Sequence, residues 1–156
     1  MHLEPIWQAP VQQQVYRELL DAFSYPGQVK KLNALIADHH ALHALLATLL
    51  DGESRLADTT GQLKATHWSL LQAQNFAVEQ AQFIVADGKQ STELHPNLGS
   101  LASPEHGATL ILMVDGFYSQ GHAVSLQLKG PGIATTTMLD VEGLNQQWLE
   151  QRAQWN

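Results

Sequence analysis

A chain of 156 residues, 44% hydrophobic and 15% charged, can bury one sizeable core and reads as a single α/β domain over 1–156. Its formal charge of −7, with 8 Lys plus Arg against 15 Asp plus Glu, argues against a nucleic-acid or anionic-membrane surface, since both need clustered basic residues. The absence of cysteine removes disulfides, thiolate metal sites, iron–sulfur clusters and a cysteine nucleophile. The start, Met1-His2-Leu3-Glu4-Pro5, is no signal peptide, and no apolar run reaches membrane-spanning length, so the cytoplasm is the expected compartment.

From Pro10, apolar Val11, Val15, Leu19, Leu20 and Phe23 recur at helical spacing until Pro26-Gly27 stops the run. Val29 to Leu32 reads as a short strand, with Lys30 and Lys31 suiting an edge. Asp38 is placed to cap the next helix, whose Leu42, Leu45, Leu46, Leu49 and Leu50 form one stripe ending at Asp51-Gly52. Ser54 to Ala57 is an expected strand, and Thr59-Thr60-Gly61-Gln62 has the form of a capping box opening a helix with Leu63, Trp68, Leu70 and Leu71. Ala81 to Ala86 is a buried strand closed by Asp87-Gly88, and Ser91 to Leu98 a short helix.

The run from Pro104 to Val114 lacks alternation and stops at Asp115-Gly116, so it is expected as the central strand, buried on both faces. Strand, short helix, strand is a crossover unit and implies parallel pairing. Val124 to Leu128 alternates, as a half-buried neighbouring strand does, and a run near Thr136 to Val141 follows across turns, as in antiparallel pairing. Leu144, Trp148 and Trp155 mark a last helix. The expected architecture is a mixed β-sheet flanked by helices on its faces.

No stretch is a reaction centre by itself. His39, His40 and His43 share a helix, but a zinc site needs further ligands that no cysteine and no His-Glu-x-x-His pattern supplies, and the positions flank the leucine stripe as partly buried histidines do. Gly130-Pro131-Gly132 is followed by strand-like Ile133 and threonines, not by a helix, so it reads as a turn between strands rather than a phosphate loop. Asp51 and Glu53 are better explained as a helix end and strand entry than as paired carboxylates, and the tryptophans as core or interface residues. The eight cations, Arg17, Lys30, Lys31, Arg55, Lys64, Lys89, Lys129 and Arg152, are widely scattered.

Four segments in register resemble the PhnH family, the H subunit of the bacterial carbon–phosphorus lyase core complex. They are Tyr16-Arg17-x-Leu19-Leu20-x-Ala22-Phe23-Ser24-x-Pro26-Gly27, Leu46-Ala47-Thr48-Leu49-Leu50-Asp51-x-Glu53-Ser54, Pro104-Glu105-x-Gly107-Ala108-Thr109-Leu110-Ile111-Leu112, and Leu126-x-Leu128-x-Gly130-Pro131-Gly132-Ile133. The resemblance implies a fold similar to the large domain of pyridoxal-phosphate-dependent transferases without the cofactor lysine, no cofactor, and no catalytic site. It implies a homodimer that joins G, I and J subunits, in an assembly whose first reaction replaces adenine of ATP by an alkylphosphonate, giving a ribose 1-alkylphosphonate 5-triphosphate. Members of the family usually continue past the Trp155-Asn156 region into a further segment and a final strand, which this chain lacks. A non-catalytic scaffold subunit is therefore expected, and the alternative is a phosphonate- or nucleotide-binding protein or enzyme in its own right. Arg17, Pro26, Gly27, Asp51, Pro104, Glu105, Gly107, Ala108, Thr109, Gly130, Pro131 and Gly132 are then structural positions.

Overall fold

The structure, a computed structural model, describes residues 4–37 and 40–155. Its centre is strand β3 (Phe83–Asp87), which pairs in parallel with β1 (Arg55–Asp58) on one side and β4 (Thr109–Met113) on the other. A two-residue strand β2 (Gln74–Asn75) completes an all-parallel sheet of order β2-β1-β3-β4. Because side chains alternate across a strand, each central strand feeds two cores. Leu56 and Val85 face a cluster with Leu42 and Leu46 of α2 (Ala41–Leu49), Leu63, and Leu71 of α3 (Ala65–Leu71). Ala57, Ile84 and Ala86 face the opposite cluster, which Leu94 and Trp148 of α4 (Gln147–Gln154) close. Ile84 and Val85 are both 0% exposed, and burial of each stabilises the fold by about 1.5–3 kcal/mol.

Helix α1 (Ala9–Ser24) carries Pro10 in its first turn, where the missing N–H costs no bond. It lies on α2 through a third cluster of Ile6, Val15, Ile36 and Ala44. Only part of its apolar pattern turns inward, since Val15 is buried while Leu20 and Phe23 are 53% and 66% exposed. The N-cap of α2 is His40, and Asp38 and His39 lie outside the described residues.

Five expectations need correction. Residues 29–32 form no strand; Lys30 there is tied to Asp21 of α1. The Thr59-Thr60 pair opens no helix, because the Thr59 hydroxyl donates to the Val85 carbonyl at 2.9 Å and Asp58 claims Thr60. The Asp58 carboxylate accepts the Thr60 N–H at 2.9 Å, the Thr60 hydroxyl at 2.6 Å and the Leu63 N–H at 2.9 Å, and α3 starts only at Ala65, with His67 Nδ1 accepting the Lys64 N–H at 3.1 Å. Residues 91–98 form no helix. The Gln151 side chain of α4 satisfies them, accepting the Leu94 N–H at 3.1 Å and donating to the Ser91 hydroxyl and the Thr92 carbonyl at 2.6 and 2.9 Å.

The fourth and fifth corrections concern the sheet. β4 is an edge of the parallel sheet, and the strand buried on both sides is β3. β5 (Val124–Leu128) alternates in burial as expected, yet it pairs only with β6 (Thr137–Val141), in an antiparallel hairpin that forms its own two-stranded sheet. Among the described residues, an isolated bridge from Gly116 to Glu142 links the two sheets. Parallel and antiparallel pairing both occur as expected, but in two sheets rather than one. The expected last helix is α4, and its buried Trp148 donates its indole N–H to the Asp87 carbonyl at 3.2 Å.

Candidate functional site

The sequence-selected residues fall into separate structural joints. Pro26-Gly27, at the end of α1, meets Gly130-Pro131-Gly132 at the tip of the hairpin. Gly132 has φ +82°, and a Cβ there would run into the Ser24 carbonyl and stand 3.0 Å from Pro26 Cδ. Gly27 has φ +93°, and its Cβ would lie 2.6 Å from Thr137 Cγ2. Both positions need glycine for conformation and for room. Arg17 is exposed on α1.

Pro104, Glu105, Gly107, Ala108 and Thr109 make the entry to β4. Pro104-Glu105-His106 is a 3-10 turn with exposed side chains. The Ala108 N–H donates to the Asn97 carbonyl at 2.7 Å and the Thr109 N–H to Gln82 at 2.8 Å, so this segment docks β4 onto the rest of the chain. Asp51 ends α2: its carboxylate accepts the Ser54 hydroxyl at 2.8 Å and the Glu53 N–H at 3.0 Å. The Ser54 hydrogen bond, and then the Glu53 N–H, hold the Asp51 carboxyl below the usual carboxylate range. No two of these joints combine into one chemical centre.

One concavity is a groove of about 450 Å³ that those joints do not line as a set. It runs between Val15 and Leu19 of α1, Leu42 and Leu45 of α2, and Ile111 to Met113 of β4 with Val114 just beyond, and Leu139 of β6 is also in its wall. Its walls are mostly apolar, and its one cation, Lys30, is bound to Asp21, whose hydrogen bond raises the Lys30 pKa. A second concavity of about 210 Å³ contains one cation, Arg152, beside Trp155 and Ile84. Neither offers the convergent Arg and Lys side chains that a dianionic phosphonate or a polyphosphate requires.

Open parallel sheets bind ligands at the carboxyl ends of their strands, next to the point where strand order reverses. Here that point lies between β1 and β3, and the strand ends carry Asp58 and Asp87, with Asp115 just beyond β4. Each carboxylate is engaged locally: Asp58 holds its own loop, Asp87 accepts the Lys89 N–H at 2.9 Å, and Asp115 pairs with Lys89 Nζ at 2.6 Å. The edge is acidic, the wrong sign for an anionic ligand. The sequence reading passed over these carboxylates; their signal was an Asp closing an apolar run.

Among the histidines, His43 of α2 meets His67 of α3 with ring centroids 4.1 Å apart, and His40 lies 6.3 Å from His43. His67 is thus a neighbour that sequence spacing could not show. Among the described residues, no group of three or more His, Cys, Asp or Glu is placed to hold a metal ion, and no helix is long and apolar enough to cross a membrane.

The family model described as "Bacterial phosphonate metabolism protein (PhnH)" matches residues 6–156. A protein of Stutzerimonas stutzeri, called putative C-P lyase subunit protein HtxG, is 42% identical over 153 residues, which cover 97% of this chain and 75% of that protein.

Proposed function

This chain belongs to the PhnH family of bacterial phosphonate metabolism proteins, a C–P lyase subunit, and from that premise we propose that it acts as a non-catalytic scaffold within the complex. In this reading it supports formation of a ribose 1-alkylphosphonate 5-triphosphate from ATP and phosphonate, and the chemistry belongs to its partners. Those partners are the G, I and J subunits and a second copy of the chain, the fold is akin to the large domain of pyridoxal-phosphate-dependent transferases without the cofactor site, and the compartment is the cytoplasm. The observation that carries the reading is the state of the cations. Lys30 is bound to Asp21, Lys89 to Asp115, Arg55 covers the Phe76 ring at 5.8 Å, and Arg152 stands as the one cation of the second concavity, so the cations at the concave surfaces and strand ends do not converge.

Adenine release from ATP and methylphosphonate tests it directly. The chain alone should give none, and addition of the partner subunits should start the reaction in a manner that depends on this chain. Robust turnover by the chain alone defeats the scaffold. The rival reading, a small-ligand binder, draws on the groove, whose volume falls within the range of small-molecule sites. Calorimetry with methylphosphonate and with ATP should show no heat of binding, because the groove wall is apolar.

A further inference from the structure

The N-cap of α3 is Lys64, not one of the Ser, Thr, Asp or Asn residues that cap a helix best. The third residue of the helix reaches back instead, and His67 Nδ1 accepts the Lys64 N–H at 3.1 Å. In a capping box that position holds Glu or Gln, neither of which changes charge near neutral pH. Histidine does, since an imidazole takes up its second proton within about pH 5–8. A ring nitrogen that accepts an N–H carries no proton of its own, so this bond exists only on the neutral ring with its proton on Nε2. Protonation of Nδ1 sets a donor against a donor and removes the cap.

The same ring is also a contact between two helices. It lies 4.1 Å from the His43 ring of α2, centroid to centroid, with the planes tilted by 46°, and both side chains are half-buried. The described residues bring four further charged or titratable groups around this junction. His40 of α2 stands 6.3 Å from His43, and Glu4, ahead of the first 3-10 turn, is 3.8 Å from His40 Nε2. Lys64 precedes α3, and Asp58 in the loop before it is occupied with the Leu63 N–H at 2.9 Å. Among the described residues no carboxylate pairs with His67. We propose that His67 and His43 form a pH-sensitive clasp between α3 and α2, closed while His67 is neutral and opened when His67 takes up a proton. The sign follows from the bond: the cap is present above the histidine range and is lost as pH falls through it. When both rings are charged they also repel across the contact. Helix α3 has 7 residues, too few to persist without packing. Its Leu71 and Trp68, with the preceding Leu63, lie on the core face shared with α2. The clasp therefore acts on that face, and the opposite cluster around Ile84 and Trp148 contains no histidine.

The test needs only this chain and stands apart from the scaffold reading. Hydrogen exchange of the Lys64 amide, corrected for the intrinsic rate at each pH, reports the cap directly, because that N–H is the one bonded to His67 Nδ1. Between about pH 7.5 and about pH 5 its protection should fall about tenfold, while the amides of Ile84 and Val85 in β3 keep theirs. His67→Gln restores the usual capping-box side chain, which does not titrate, so Lys64 should stay protected and the step should vanish. His43→Leu leaves the cap in place and removes the second ring, and it should shrink the step. Constant protection of Lys64 in the parent chain overturns the proposal, and so does an equal step in His67→Gln, which assigns the step to another group. An undiminished step in His43→Leu shows that His67 caps α3 without clasping α2, and overturns the junction. Should His67→Gln fail to fold, a nuclear magnetic resonance titration of the parent chain decides: the Lys64 amide and the His67 ring must move with one midpoint, and separate midpoints overturn the proposal.

Discussion

β3 and β4 are neighbours of equal length, both apolar without alternation, yet the structure treats them oppositely. Every interior residue of β3 is buried, and no residue of β4 is. The pair Ile84 and Leu110 shows this in register: the two face each other across the ladder, with Ile84 fully enclosed and Leu110 only partly covered. Composition is thus no guide to which strand is central. β3 has a strand on each side and helices on both faces, whereas β4 has one strand and a groove. Apolar content records what a strand can bury, and its neighbours decide what it does bury.

The largest expected effect is on the enclosed member of that pair. Ile84→Ala should lower stability by about 2–5 kcal/mol in chemical denaturation, the range for a buried aliphatic cavity. Leu110→Ala, its partner in register, should cost roughly half as much, about 1–2 kcal/mol, because its neighbours enclose it less. Equal losses at the two positions would break the contrast.

Between those two in size stands Gly132→Val, which strikes the joint that seats the hairpin beside the groove. Positive φ and the overlap with the Ser24 carbonyl should lower stability by about 2–3 kcal/mol. Hydrogen exchange should then rise in the hairpin and at the end of α1 while β3 stays protected. If the variant keeps its melting temperature but loses binding of methylphosphonate or ATP, the turn is a ligand site and the scaffold reading fails.

The smallest effect concerns pH, and it falls outside both strands. The Asp51 carboxyl has a folded pKa below its unfolded value, so its stabilising contribution is present above the unfolded pKa of about 4 and is lost as pH falls through the lower folded value. Asp51 is exposed, so the change is slight. Melting curves of the parent chain and Asp51→Asn should converge as pH drops below about 4 and differ most above it. A gap independent of pH would show that the Ser54 contact does not depend on the charge of Asp51.

The amino-acid sequence by itself determined α1, α2, α4 and the strands near Arg55, Phe83, Thr109, Val124 and Thr137, because periodicity and turn residues act over short stretches. It also determined family membership, carried by segments such as Gly130-Pro131-Gly132 and Pro104-Glu105-His106-Gly107. Competition between distant partners lay beyond it. Gln151 holds residues 91–98 from 57 positions away in the Leu94 bond, and the Val85 carbonyl takes the Thr59 hydroxyl from a capping role. The meeting of Pro26-Gly27 with Gly132, the contact of His43 with His67, and the division of six strands between two sheets likewise depend on which surfaces touch.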